Sequence, residues 1–281
     1  MIEALQFEFM RNALMAGLLA SVVCGVIGTL IVINRLVFLS GGVAHSAYGG
    51  IGLAFYFGWP YMVGATLFAF ASAMIMAAVA LKSKQRADTI VGVMWAMGMA
   101  TGILLLDMTP GYNVDLMSYL FGSILSVPRE ELIAMAVLTM VILALIGYYY
   151  KDLLVMSYDE EFARVRGIPV KALYFMLIGT VAVTVVIVVQ VVGLILVIAL
   201  LTIPPYIAEK YTKSLLQMML VSTVLGMIFI CGGLWASYFH DLTSGAAVIL
   251  VAGIGFSLSL LLDRIISIYQ RQLWLKSHGS N

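Results

Sequence analysis

Residues 36–81 read LVFLSGGVAHSAYGGIGLAFYFGWPYMVGATLFAFASAMIMAAVAL, with no Asp, Glu, Lys or Arg anywhere in the stretch. An α-helix rises about 1.5 Å per residue and the hydrocarbon core of a bilayer is about 30 Å thick, so roughly 20 apolar residues cross it once. This stretch is too long for one crossing and long enough for two. Gly58-Trp59-Pro60 supplies the fold-back, because glycine enters left-handed backbone cheaply and proline starts a helix more readily than it continues one.

Further charge-free intervals lie at 12–34, 89–106, 132–150, 172–208, 214–240 and 242–262, and the interval 172–208 must also fold back, near Gln190 to Gly193. The pattern predicts spans at 12–33, 41–57, 61–81, 89–106, 132–150, 173–190, 193–208, 214–235 and 243–262. The expected fold is therefore an all-α polytopic membrane protein of about nine transmembrane helices, eight being the alternative count. A single transmembrane domain accounts for residues 1–281, with no soluble domain or long linker. Gly49, Gly50 and Gly52, and Gly98 and Gly102, are placed to let helix backbones approach closely.

Composition agrees. Of 281 residues, 63% are hydrophobic in type and 10% are charged, where soluble domains carry about 25% charge. A net charge of +1 leaves no basic excess of the kind that binds nucleic acid. Cys24 and Cys231 sit far apart in apolar stretches and read as small core residues rather than a disulfide or a metal pair. Glu3 and Glu8 precede the first apolar run, which argues against a cleaved signal peptide, so the first span is expected to be retained.

Lys and Arg concentrate in cytoplasmic loops of membrane proteins. Placing the 82–88 loop inside puts 13 of the 15 basic residues on the cytoplasmic side, leaving only Arg11 and Arg129 outside. The N-terminus is then outside and the C-terminus cytoplasmic. The outer segments carry Asp107, Asp115, Glu130, Glu131 and Asp241, a cast that attracts cations, although positive-inside sorting also leaves acids behind.

The largest inner loop contains Ser157-Tyr158-Asp159-Glu160-Glu161-Phe162-Ala163-Arg164-Val165-Arg166-Gly167-Ile168-Pro169. A helix is expected over about 157–167, with Ser157 as N-cap and Glu160 reaching back to it. The acids complement the positive end of the dipole, Arg164 and Arg166 the negative end, and Gly167 ends the helix ahead of Pro169. Phe162 and Val165 share one face and form an exposed apolar pair on an element too short to span a membrane. Such a helix is suited to docking on a partner; lying on lipid headgroups is the alternative.

This loop, followed by Gly-Ile-Pro-Val and two closely spaced spans, resembles the coupling helix of ABC importer permeases. Segments 40–52 (SGGVAHSAYGGIG), 115–125 (DLMSYLFGSIL), 192–205 (VGLILVIALLTIPP) and 233–246 (GLWASYFHDLTSGA) look like those of the zinc/manganese/iron permease family, and together they cover nearly the whole chain. The resemblance implies a cell-membrane permease of a prokaryote that pairs with a second copy of itself and with a cytoplasmic ABC ATPase dimer. An extracytoplasmic metal-binding protein would deliver the ion, a divalent transition metal that is substrate rather than resident cofactor. Glu160, Phe162, Ala163, Val165, Arg166 and Gly167 are the residues it assigns to coupling with the ATPase. Many members carry Asp four residues before the second-span histidine, where this chain has Gly41, so that carboxylate ligand is absent.

His45 lies within a span, where an ionisable ring usually faces a pathway or a partner, and neutral imidazole suits Zn, Mn and Fe. It is expected to contribute to a transient metal site, the alternative being a hydrogen bond to a neighbouring helix. His240 and Asp241 meet where the eighth span reaches the outer face and form a candidate outer gating site, unless they only cap the helix. Asp115 is a further pathway candidate that could equally cap a short outer helix, and His278 in the polar tail reads as inert.

No GxxxxGK[ST] loop occurs, so ATP hydrolysis has to come from another chain, and the absence of HExxH and GxSxG counts against protease or esterase chemistry. The tryptophans and methionines are scattered and read as interface anchors and packing. A self-sufficient carrier driven by an ion gradient is the competing class. It would be expected to show several intramembrane carboxylates and related sequence halves, and neither is apparent.

Overall fold

The computed structural model of the chain describes residues 6–82, 87–109, 122 and 124–278, with backbone alone at 87 and 268–278. Its helices, in order, are α1 (Glu8–Ile33), α2 (Val37–Phe57), α3 (Tyr61–Lys82), α4 (Ala87–Asp107), α5 (Arg129–Tyr148), α6 (Tyr150–Tyr158), α7 (Glu160–Val165), α8 (Val170–Val192), α9 (Leu194–Tyr211), α10 (Leu215–His240) and α11 (Ser244–His278). A short 3-10 turn, Ile124–Ser126, precedes α5, and no strand occurs among the described residues. Each expected span coincides with one long helix.

Both predicted fold-backs are present. Gly58 caps α2 at φ +69°, and Gly193 at φ +85° is the single residue between α8 and α9. The helices run further than apolarity alone suggests. α1 begins at Glu8, whose carboxylate pairs with Arg129 at 2.7 Å, and α5 begins at Arg129 with Glu130 and Glu131 complementing the dipole in its first turn. α11 has 35 residues, about 52 Å at 1.5 Å per residue, and so projects well beyond one membrane thickness through the tail expected to be merely polar. His278 is its last residue.

Eight of these helices are both long and apolar enough to cross a membrane. α2 is as long as the others but is diluted by glycine, serine and His45, so it does not join that set on composition. Its surroundings explain why it needs no lipid-compatible surface: 14 of its 21 residues are buried in protein. Backbone contact encloses it. A Cβ on Gly50 would overlap the Gly64 carbonyl on α3, and one on Gly52 would lie 2.5 Å from the Gly102 carbonyl on α4. These close approaches need glycine on both sides, as the spacing of 49–52 and 98–102 anticipates.

α1 and α8 form the rest of the centre, with Ala13, Ala16, Ile27, Leu177, Val181 and Val185 fully buried. By contrast α5, α10 and α11 turn large apolar side chains such as Met140, Leu220 and Leu250 outward, as a lipid-facing surface requires. Where α9 meets α11, the Lys210 ammonium lies 2.6 Å from the Asp263 carboxylate and the Tyr211 hydroxyl donates to the same group at 2.8 Å.

The expected 157–167 helix needs correction. α7 is six residues long, and Ser157 and Tyr158 belong to the preceding α6. The N-cap is Asp159, extended at φ −147°, whose carboxylate accepts the Phe162 N–H at 2.8 Å. Glu160 does not reach back to Ser157; it pairs with Arg164 one turn on. The C-terminal expectation holds: Gly167 sits at φ +78°, its N–H bonds the Arg164 carbonyl, and the Ile168 N–H bonds the Ala163 carbonyl, both at 3.0 Å.

Candidate functional site

His45 rises from the enclosed α2 and is itself only half-buried. Its ring stacks on Trp95 of α4 with centroids 3.9 Å apart and planes 12° from parallel. Trp95 is oriented in turn by its indole N–H, which donates to the Met99 sulfur at 3.2 Å. The His45 Nδ1 atom is buried and has no hydrogen-bond partner. A buried imidazole nitrogen left without a partner is costly, and it is the atom a passing cation could use.

One turn before His45, a Cβ placed on Gly41 would meet nothing within 4 Å. Gly41, where the resemblance leads one to expect a carboxylate, is buried but has room for a Cβ, and it lies on the same helix face as the imidazole. Phe38, one further turn back, lies 6.3 Å from Trp95 between ring centroids and borders a cavity of about 450 Å³. Asn34, Arg35, Asp88, Glu160 and Tyr174 also line this cavity. It opens at the end of the bundle that holds the α1–α2, α3–α4 and α6–α8 connections.

The other candidates do not join this site. His240 is the last residue of α10 and exposed, and Asp241 comes directly after it at φ +50°, a left-handed conformation that Asp tolerates better than most residues. The Ser237 hydroxyl donates to the Leu242 carbonyl at 2.6 Å and closes the corner. This geometry matches the capping alternative for Asp241. Asp115 lies outside the described residues. Among the described residues no three His, Cys, Asp or Glu side chains gather closely enough to hold a metal ion. Among the described residues, the His45 imidazole is the one histidine with a buried, unpartnered nitrogen.

On α7, Ala163 is fully buried while Phe162 and Val165 are 50% and 86% exposed. Arg166 lies over the Phe162 ring at 5.6 Å, and Gly167 ends the helix. The element is anchored through one small residue and offers its larger apolar residues outward.

Trp95 was not legible as part of the site. Its distinguishing feature in the sequence is its place in the middle of a span rather than at an interface, and its contact with His45 depends on α2 and α4 lying side by side. Asn34 and Arg35 were missed as well, since a polar pair at a helix end has no local mark of what it touches.

Comparison with known proteins agrees with this architecture. An uncharacterised membrane protein of Synechocystis sp. is 54% identical over 264 residues, covering 94% of each chain. The manganese transport system membrane protein MntC of Listeria monocytogenes is 30% identical and matches 92% of this chain and 91% of its own. Among solved structures, PsaBC from Streptococcus pneumoniae in complex with a Fab matches with a TM-score of 0.83 at 30% identity, covering 92% of this chain and 93% of that one. The family model described as ABC 3 transport family matches residues 6–263, nearly the whole membrane-embedded part, and the chain belongs to that family.

Proposed function

We propose that this chain is the permease subunit of an ABC importer that carries a divalent transition metal, manganese or zinc, into the cytoplasm. The relative named for manganese transport supports manganese as the first ion to test. Two copies of the chain would form the pathway, with His45 from each copy near their shared axis. That pairing supplies a second imidazole to a site that has only one in a single protomer. Few and imperfect ligands suit transport, because the ion has to leave as readily as it binds.

The observation that carries this reading is α7: a capped, six-residue helix between two spans that turns Phe162 and Val165 away from the bundle. A separate cytoplasmic ATPase pair would receive that face in a groove, and its closing and opening would drive alternating access. An extracytoplasmic metal-binding protein would deliver the ion to the opposite face. In this orientation the N-terminus is outside, and the α7 end with its cavity faces the cytoplasm.

The test is reconstitution of the chain in vesicles with a co-expressed cassette ATPase. ATP-dependent uptake of Mn²⁺ or Zn²⁺ is expected, and Phe162→Asp together with Val165→Asp should abolish cassette binding. Uptake by the chain alone, driven by an ion gradient, would overturn the reading.

A further inference from the structure

Ser157, expected to cap the loop helix, is used otherwise. Its hydroxyl accepts a hydrogen bond from the Asn34 side-chain amide at 2.9 Å, joining residues 123 positions apart in the chain. The same amide donates to the Leu30 carbonyl at 2.8 Å, so it holds the last turn of α1 and the end of α6 at once. Both residues are half-buried, which gives the bond more weight than a surface contact.

The chain immediately after Asn34 makes the contact more than a brace. Only Arg35 and Leu36 separate it from α2. Arg35 adopts φ +58°, a left-handed conformation that costs a β-carbon-bearing residue energy, with its N–H bonded to the Val32 carbonyl and that of Leu36 to the Ile31 carbonyl. A two-residue connection already held in this tight turn has little slack. A displacement of Asn34 is therefore passed to α2, the helix that carries His45. On the other side, Asp159 alone lies between α6 and α7, so a movement of α7 reaches Ser157 with equally little slack. The cavity bordered by Asn34, Arg35, Met156 and Glu160 leaves room beside the contact for such a movement.

We propose that the Asn34–Ser157 hydrogen bond is a relay contact through which displacement of α7 repositions α2 and with it His45. Asn34 and Ser157 are then positioning residues in the transport cycle; neither touches the ion. The inference rests on the ATPase-driven reading of the chain and adds the path by which the work travels inward.

The experiment uses the full chain reconstituted with its cassette ATPase and measures metal uptake, ATP hydrolysis, cassette binding and thermal midpoint on each variant. Ser157→Ala should lower uptake per ATP hydrolysed roughly 5-fold, about the worth of one such hydrogen bond, with cassette binding and hydrolysis unchanged and the thermal midpoint lowered by no more than a few degrees. Asn34→Ala should do the same, the double variant should be no worse than either, and Ser157→Thr should restore the ratio. An unchanged ratio, or additive losses, overturns the relay. A fall in thermal midpoint that carries binding and hydrolysis down together shows a purely structural tie and also overturns it. If the unaltered chain binds no cassette, the functional reading itself fails and the relay falls with it, a result distinct from loss of coupling in the variants alone.

Discussion

α2 and α10 each carry a histidine in a motif that marks them as candidate parts of a metal path, and they are built in opposite ways. α2 is enclosed by protein: its backbone touches those of α3 and α4 through facing glycines, and His45 is held flat against Trp95 with one nitrogen unpartnered. α10 turns Leu220, Trp235 and Phe239 outward, and His240 lies at its exposed end beside a residue whose conformation serves to end the helix. Residue type is thus a weaker guide to a site than enclosure. An imidazole in a packed bundle is positioned by neighbours it cannot escape, whereas one at a helix terminus has water as an alternative partner.

Four substitutions put this contrast to the test. Gly50→Val should have the largest effect, since the added side chain has to displace the Gly64 backbone; a loss of about 3 kcal/mol or more is expected, read as a fall in yield and thermal midpoint of the detergent-solubilised protein. Normal stability in that variant would mean that α2 is less enclosed than its glycine contacts imply. His45→Ala should leave assembly intact and reduce metal uptake on the order of 100-fold in vesicles, about the effect of losing one of few ligands. Unchanged uptake would remove the imidazole from the pathway.

Gly41→Asp should still fold, because nothing lies within 4 Å of the new Cβ, but with a lowered thermal midpoint that Mn²⁺ restores, because Gly41 is buried and an unpaired carboxylate there is costly. It should tighten Mn²⁺ binding roughly 10-fold by adding a carboxylate beside the imidazole, measured by calorimetry on the purified chain. Weaker binding would place the open space off the ion path. Asp241→Gly should have the smallest effect, a change within about 0.5 kcal/mol in stability and no change in uptake, because glycine takes the left-handed conformation with less strain. A severalfold drop in uptake with stability preserved would instead return Asp241 to the metal path and weaken the contrast with α2.

Much of the architecture was legible in the order of residues alone, for a physical reason. Lipid forbids unpaired backbone groups, so charge-free runs of sufficient length become helices, and Gly58 and Gly193 mark where long runs turn. Helix ends were less legible. Glu8, where α1 begins, pairs with Arg129 of another element, a long-range pairing with no local signature. The loop helix shows the same division in miniature. Gly167 ended it as expected because a left-handed position favours glycine wherever it occurs, but two adequate caps, Ser157 and Asp159, competed for its start. Asp159 takes the cap, while Ser157 falls inside the preceding helix and accepts a hydrogen bond from Asn34, far away in sequence.

The membrane class, the number and order of the long helices, the exposed pair Phe162 and Val165, and His45 as the histidine within a span were all written in the residues alone. Those features come from local chemistry: hydropathy, turn preference and the cost of burying an ionisable ring. It took the folded bundle to show that Trp95 stacks on that ring, that Gly41 has room for a Cβ, that Asp241 ends α10 and that Asn34 meets Ser157. Each of these depends on which helices become neighbours, and that is set by the packing of the whole bundle, where small residues such as Gly50 and Gly64 allow a close approach and larger ones would prevent it.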